Sequence, residues 1–134
     1  AETERLRDDF RLVLSICYDL RFPELFQQLV ARGANVIMLP AAFTLQTGKD
    51  HWEVLCRARA IETQSYVVAC GSHGPLSQNG ETRYTYGHSL IVDPWGHVIA
   101  KCSDGDGFAT ARLDIQLINK VRNDIPVAKQ KVLS

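Results

Sequence analysis

The stretch VLSICYDLRFPEL, Val13 to Leu25, joins an apolar run to the start of a helical pattern. The segment from residue 11 to residue 16 is short and contains apolar and β-branched side chains, which predicts a buried strand from Arg11 to Ile16. Phe22 to Arg32 predicts a helix, because a proline suits the first helical turn and Gly33 suits the position after a helix. Cys17 lies between the two elements, at the end of the strand.

The next segments repeat the alternation of strand and helix. Asn35 to Leu39 predicts a second buried strand, ended by Pro40, and Tyr66 to Cys70 predicts a third. Between them, Asp50 and Glu53 have the spacing of a capping box at the start of a helix. Strand–helix–strand units with short connections predict parallel strands and an α/β fold.

The second half of the chain changes in character. GSHGPLSQNGE, residues 71–81, is rich in turn-forming residues and predicts a loop or a hairpin. A turn is expected at Asp93-Pro-Trp-Gly96, and Asp114 to Asn123 predicts a helix capped by Asp114. The remaining segments with strand-like patterns are Tyr84–Val92, His97–Lys101 and Phe108–Leu113.

Length and composition exclude several classes of function. The 134 residues suit one domain, and a formal net charge of zero argues against a nucleic-acid partner. No apolar run approaches the roughly 20 residues of a membrane helix, so no membrane partner is expected.

Neither the cysteines nor the histidines have metal-ligand spacing, which predicts no metal site. We expect no cofactor, and free thiols in a reducing cytoplasm. The cysteines are Cys17, Cys56, Cys70 and Cys102.

Cys17 has two interpretations. An apolar strand, a cysteine and a tight turn into a helix present a nucleophile at the carboxyl edge of an open sheet, where ligand sites collect. The arrangement is similar to a hydrolase nucleophile elbow without its Gly-x-Ser-x-Gly pattern. The alternative is a buried cysteine that acts as a small apolar residue. Spacing alone leaves both interpretations open.

Four stretches, in order, resemble the nitrilase superfamily, the carbon–nitrogen hydrolases. ICYDLRFPEL (16–25) resembles the cysteine motif of that family. The other three are LPAAFTLQTGKDHWEVLCRARAIETQSYVVA (39–69), YGHSLIVDPWGHVIA (86–100) and RNDIPV (122–127). The residues of these four stretches resemble the Nit-type amidase branch, similar to the deaminated glutathione amidases and ω-amidases, rather than true nitrilases.

The resemblance implies a fold and a chemistry. The family fold is an α-β-β-α sandwich, and residues 1–134 are expected to form the C-terminal half of one such domain. The family cleaves a non-peptide C–N bond of a small-molecule amide through a cysteine thioester. Cys17 matches the nucleophile and Tyr18 would supply a backbone N–H to the oxyanion. By the same resemblance, substrate contacts are expected from Arg21, Phe43 and Thr47.

The sequence departs from the family pattern in one respect. The family also uses a Glu base and a Lys, both upstream of the cysteine, but only 16 residues precede Cys17 and none of them is lysine. Glu2 and Glu4 lie in no matching motif. We therefore expect the family's first half to be absent, negligible amidase activity of the chain alone, and one poorly covered sheet face. That face predicts poor solubility, a homo-oligomer, or association with a missing N-terminal half.

Other residues have structural alternatives. Arg21 binds a substrate carboxylate or forms an ion pair with Glu24 or a neighbouring helix, while Phe43 and Thr47 line a pocket or only pack in their loop. The capping-box position of Glu53 favours a structural role over that of a base. A tightly spaced set is expected to form ion pairs: Arg57, Arg59 and Glu62.

Three hypotheses for function follow. The first is the cysteine-bearing half of a Nit-type amidase. The second is a non-catalytic remnant or interaction module that associates with itself or with a missing half. The third, and weakest, is a complete Cys–His hydrolase that uses His88, which the family mechanism does not need.

Overall fold

The computed structural model describes residues 3–6, 9–103 and 105–133. Its strands are β1 (Thr3–Leu6), β2 (Phe10–Leu14), β3 (Val36–Ala41), β4 (Tyr66–Gly71), β5 (His73–Gln78), β6 (Glu81–Tyr86), β7 (Leu90–Val92) and β8 (Val98–Lys101). Its α-helices are α1 (Pro23–Ala31), α2 (Leu45–Thr47), α3 (Glu53–Thr63), α4 (Ile115–Asp124) and α5 (Val127–Gln130). A short 3-10 helix, Cys17–Arg21, follows β2.

The main sheet has the strand order β1-β2-β3-β4-β7-β8. Strands β2, β3 and β4 are parallel, with Leu12 opposite Val36 and Val36 opposite Tyr66. The other pairs in this sheet are antiparallel, and β5 and β6 form a separate hairpin. The predicted α/β class, the parallel strands and the hairpin are confirmed.

Helices α1 and α3 pack on one face of the main sheet, which we call the covered face. Its buried side chains form one core with both helices: Val13, Ile37, Leu39, Val67 and Ala69 from the strands, Phe26 and Leu29 from α1, and Cys56 and Ala60 from α3. Burial of these apolar groups is the main source of stability in such a layer.

Helix α4 packs on the opposite face, which we call the open face, near the amino ends of its strands. There Ile118 of α4 packs on Val36 and Tyr66. Further along, Leu14 is 61% exposed and Ile16 is 64% exposed. The prediction that residues 11–16 form a buried strand is therefore wrong on one side, because a parallel strand is buried only where both faces have a covering layer.

The start of the helix before β4 differs from its prediction. Thr44, not Asp50, caps the helical segment, and its Oγ1 accepts a hydrogen bond from the Thr47 N–H. A π-helical turn, Gly48–Trp52, then leads directly into α3. Asp50 thus lies inside continuous helix, and the Glu53 carboxylate pairs with Lys101 at 3.0 Å instead of completing a capping box.

Two predicted strand boundaries are also wrong. Strand β3 continues through Pro40 to Ala41. Pairing with β2 ends at Met38, so no ladder hydrogen bond is lost at the proline. The run Tyr84–Val92 divides between two sheets because Gly87 and His88, with φ of 70° and 58°, redirect the chain.

Residues 108–113 do not form the predicted strand. Phe108 and Ala109 line a cavity with Val68 and Cys70 of β4, so the segment lies against the open face instead of beside a strand edge. An element in that position has no neighbouring strand with which to pair.

The last elements agree with their predictions. The turn at residues 93–96 is closed by a 2.9 Å bond from the Gly96 N–H to the Asp93 carbonyl, and β7 and β8 pair across it. Asp114 caps α4 by accepting a hydrogen bond from the Gln116 N–H. Within the described ranges, every helix is too short or too polar to cross a membrane.

Candidate active site

Cys17 opens the 3-10 helix at the carboxyl end of β2. Its φ of 43° places it in the left-handed region, which is strained for a residue with a side chain. Ser15, just before it, is held to β3 by two bonds to the Met38 carbonyl, 2.9 Å from its N–H and 3.0 Å from its Oγ. The strand end is thus fixed and the chain turns sharply at Cys17, whose half-buried side chain packs at the margin of the core.

The 3-10 helix is held at both ends. At its start, the Ile16 N–H donates to a carboxylate oxygen of Asp19 at 3.0 Å. At its end, the Leu20 carbonyl accepts a 3.0 Å hydrogen bond from Nε of Arg59 in α3. The Tyr18 N–H lies in the first turn, where backbone N–H groups have no intrahelical acceptor. That N–H is therefore free of the helix's own bonding pattern.

A cavity of about 200 Å³ opens beside Cys17. It brings together every predicted site residue and two more; the lining residues are Cys17, Tyr18, Arg21, Ala42, Phe43, Thr44 and Thr47. The Cys17 Sγ lies 4.0 Å from the Ala42 carbonyl oxygen. Because the 3-10 helix and the loop after β3 both follow the carboxyl ends of parallel strands, they meet at the same edge of the sheet.

Arg21 faces this cavity through its guanidinium. The carbon Cζ lies 5.4 Å from the centre of the Phe43 ring and 5.8 Å from that of Tyr18, within cation–π range. Its Nη2 lies 3.3 Å from Nδ1 of His51. Among the described side chains, no ion pair joins Arg21 to Glu24, so the positive charge stays available to a ligand on the cavity side.

The loop that carries Phe43 is supported from behind. The centres of the Phe43 ring and the buried Trp52 ring lie 5.0 Å apart. The backbone carbonyl of Phe43 accepts a 2.8 Å hydrogen bond from the Tyr86 N–H. The indole N–H of Trp52 donates to the His88 carbonyl at 2.9 Å. The β5–β6 hairpin and the π-helical turn therefore fix the cavity wall opposite Cys17.

Two cavity-lining residues, Ala42 and Thr44, and the Arg21 partner His51 were missed by sequence reasoning. Thr44 had a signal in the sequence, because threonine is among the preferred residues at a helix N-cap. Its Oγ1 lies 2.8 Å from the Thr47 Oγ1, which orients both hydroxyls. His51 and Ala42 carried no signal beyond their position near the sheet edge.

The Cys–His alternative gains no support from the geometry. The His88 ring stacks on Tyr86 at 3.8 Å, its Nδ1 lies 2.6 Å from the Tyr86 carbonyl oxygen, and it is not among the residues that line the Cys17 cavity. Within the described part of the chain, no three His, Cys, Asp or Glu side chains form a group that could hold a metal ion. All four cysteines are free thiols, as expected.

Of the set expected to form ion pairs, only one pair forms. Arg59 Nη1 and Glu62 lie 3.1 Å apart, whereas Nε of Arg57 donates to the Gly96 carbonyl at 2.7 Å. Arg57 thus secures the turn between β7 and β8, and Arg59 secures the helix that begins at Cys17.

This chain is similar to known proteins in sequence and in fold. The sequence profile of the family described as carbon-nitrogen hydrolase matches residues 2–123. Deaminated glutathione amidase of Bos taurus is 50% identical over 124 residues, which is 90% of this chain and 36% of that protein.

Two solved structures share the fold. The Caenorhabditis elegans NitFhit protein aligns with a TM-score of 0.85 and 48% identity, over 90% of this chain and 29% of its own. Saccharomyces cerevisiae Nit3, described as a member of branch 10 of the nitrilase superfamily, aligns with a TM-score of 0.81 and 38% identity, over 90% of this chain and 43% of its own. The chain therefore spans less than half the length of these relatives.

Proposed function

The chain belongs to the carbon–nitrogen hydrolase family, and we propose that Cys17 is the nucleophile of an amidase that cleaves a non-peptide C–N bond. One observation carries the proposal: Cys17, in a strained left-handed conformation, shares a cavity with Tyr18, Arg21, Phe43 and Thr47. Strained residues of this kind persist only where the surrounding structure holds them in place, and they cluster at active sites.

The proposed chemistry is covalent catalysis. The Cys17 sulfur attacks the carbonyl carbon of a primary amide, and the resulting oxyanion accepts a hydrogen bond from the Tyr18 N–H. Collapse of this intermediate breaks the C–N bond, releases ammonia and leaves a thioester. Water then cleaves the thioester to a carboxylic acid and restores the thiol. The sum is one amide and one water converted to one acid and one ammonia.

The cavity favours a small amide that carries a carboxylate. The Arg21 guanidinium is the charge that would bind that carboxylate, because its planar fork matches carboxylate geometry. The Phe43 ring offers an apolar wall and the Thr47 hydroxyl a polar contact. The ω-amide of an α-keto acid, which has a primary amide at one end and a carboxylate at the other, fits these groups.

The proton transfer needs a group that this cavity lacks. Its lining, within the described residues, includes neither a carboxylate nor an amine. In the family that this chain resembles, a Glu carboxylate and a Lys amine serve in the proton transfer and in the stabilisation of the oxyanion. We propose that residues 1–134 form one partial domain and that a Glu- and Lys-bearing segment completes the site. Loss of a single oxyanion donor typically lowers the rate by ~10²–10³, so the chain alone is expected to be nearly inactive.

A second candidate function is a non-catalytic interaction module. The observation that favours it is the open face, where large apolar side chains such as Leu14 and Ile16 are mostly exposed. Such a patch favours self-association or pairing with a completing segment. The free thiols support the cytoplasmic location that we propose for either function.

The deciding experiment measures ammonia release from an α-keto acid ω-amide. The chain is assayed alone and mixed with the portion of a deaminated glutathione amidase that this chain does not match. We expect activity only in the mixture, and we expect Cys17→Ser to lower it at least ~10³-fold. Cys70→Ser, which changes an exposed thiol elsewhere, is the matched control and should keep full activity.

Two results would contradict the proposal. Turnover at ordinary enzyme rates by the chain alone would show that no completing segment is needed. Full activity of the Cys17→Ser mixture would show that another group is the nucleophile. A mixture that associates but never releases ammonia would favour the interaction module.

A further inference from the structure

Arg59 is a buried cation that the proposed chemistry does not use. It lies in the middle of α3 and its side chain is only 6% exposed. Arginine is almost never this buried unless it is paired. Each of its contacts is therefore expected to have a structural or functional reason.

The guanidinium is fixed by three different groups. Nε donates to the Leu20 carbonyl at 3.0 Å, and Nη1 reaches both carboxylate oxygens of Glu62 at 3.3 and 3.1 Å. Its Cζ lies 5.8 Å from the centre of the Phe26 ring in α1. Only a planar fork satisfies the carbonyl and the carboxylate together, so a lysine cannot replace all of these contacts.

The Leu20 carbonyl belongs to the same short helix as Cys17. That helix begins with a left-handed φ of 43° at Cys17, a conformation that persists only when neighbouring groups hold it. Asp19 holds the amino end through the Ile16 N–H, and it belongs to the helix itself. Arg59 is thus the side chain from another element that holds the carboxyl end.

We propose that Arg59 is a positioning residue for the nucleophile. By holding Leu20, it keeps the Cys17 sulfur at the cavity that Tyr18, Arg21 and Phe43 also line. This inference rests on the proposed role of Cys17. Without the Arg59 contact, the 3-10 helix relaxes, the sulfur is no longer held at the cavity, and reagents in the cavity reach it more slowly.

The test measures thiol alkylation in the chain as it exists. Iodoacetamide is added at neutral pH, and peptide mass spectrometry gives the rate at Cys17 divided by the rate at Cys70. Cys70 is exposed near the end of β4, makes no contact with Arg59 or Leu20 among the described hydrogen bonds, and serves as an internal reference. A general loss of stability would raise the rates at both thiols and does not lower this ratio.

Three variants separate positioning from folding. Arg59→Met removes the contact and should lower the ratio several-fold, because the sulfur is then held at the cavity for only part of the time. Arg59→Lys keeps a cation beside Glu62 and should give an intermediate ratio. Arg57→Met is the matched control, because Arg57 makes the same kind of contact with a different turn, at Gly96, and should leave the ratio unchanged.

The outcomes are distinct. An unchanged or higher ratio in folded Arg59→Met, judged by near-ultraviolet circular dichroism, would overturn the inference. If Arg59→Met does not fold, Arg59→Lys decides: a wild-type ratio would overturn the inference and a lowered one would support it. An equal fall in Arg57→Met would also overturn it. The proposed function is tested separately by Cys17→Ser in the ammonia assay, so either proposal can fail while the other survives.

Discussion

The two faces of the main sheet contain side chains of the same strands in very different surroundings. On β2, Val13 on the covered face is fully buried, whereas Leu14, the next residue, is 61% exposed on the open face. On β4, Ala69 is 2% exposed and Cys70, beside it, is exposed. The composition of the strands does not separate these positions. What separates them is whether a layer of helices packs on that side.

This difference shows where the candidate site draws its support. The groups that hold Cys17 and Phe43 in place, Arg59 and Trp52, come from the helical layer on the covered face. Among the described residues, the open face supplies apolar surface but no group that lines the cavity beside Cys17. Substitutions of one residue type on the two faces therefore test how much of the stability the covered face carries.

The largest expected contrast is between two leucines. Leu39→Ala removes a fully buried side chain from the covered face and should lower the free energy of unfolding by ~2–5 kcal/mol. Leu14→Ala on the open face should lower it by less than about 1 kcal/mol, because its side chain is already in contact with water. Urea unfolding measures both. Similar losses for the two variants would mean that self-association buries the open face.

A smaller contrast is expected between two glycines. A Cβ at Gly48, on the covered side, would lie 2.2 Å from the Cβ of Tyr86 in the hairpin, whereas a Cβ at Gly107, beside the open face, would meet nothing within 4 Å. Gly48→Ala should therefore cost ~1–3 kcal/mol of unfolding free energy, and Gly107→Ala close to none. The same urea experiment distinguishes them. A neutral Gly48→Ala would show that the hairpin moves aside without cost.

Sequence reasoning succeeded where local patterns determine the outcome. The helix after Cys17 begins at the proline and ends before Gly33, whose φ of 101° requires glycine. The parallel strand pairs and the cap by Asp114 also follow from local spacing. The residues expected at the site meet in one cavity because the carboxyl ends of neighbouring parallel strands share an edge.

The errors have a common physical cause. The segment 108–113 has a strand pattern, but a strand needs a neighbour, and the segment lies against the open face instead. The burial of residues 11–16 and the capping box at Asp50 failed for related reasons. Each depended on a contact with a distant element, which a local pattern does not specify. For Arg59 the sequence predicted only an ion pair, because nothing local indicates that its Nε reaches the Leu20 carbonyl.

The smallest expected contrast concerns the buried Cys56 thiol and pH. Burial on the covered face, assisted by the charge of Glu53 and opposed by that of Arg59, raises the pKa of Cys56 to about 12. An unfolded thiol titrates near 8.5, so between these values the folded chain binds more protons than the unfolded chain. This stabilising contribution is intact below pH ~8.5 and is lost as pH rises toward 12.

Cys56 should therefore contribute a fall of about 1 kcal/mol in the free energy of unfolding between pH 8.5 and 9.5. Cys56→Ala removes this titration, so its unfolding free energy should decline less steeply than that of the wild type over this range. Leu14→Ala, on the open face, removes no titrating group and should keep the wild-type slope. Urea unfolding at several pH values gives these slopes. An unaltered slope in Cys56→Ala would mean that water reaches the covered core, and the distinction between the two faces would then no longer hold at Cys56.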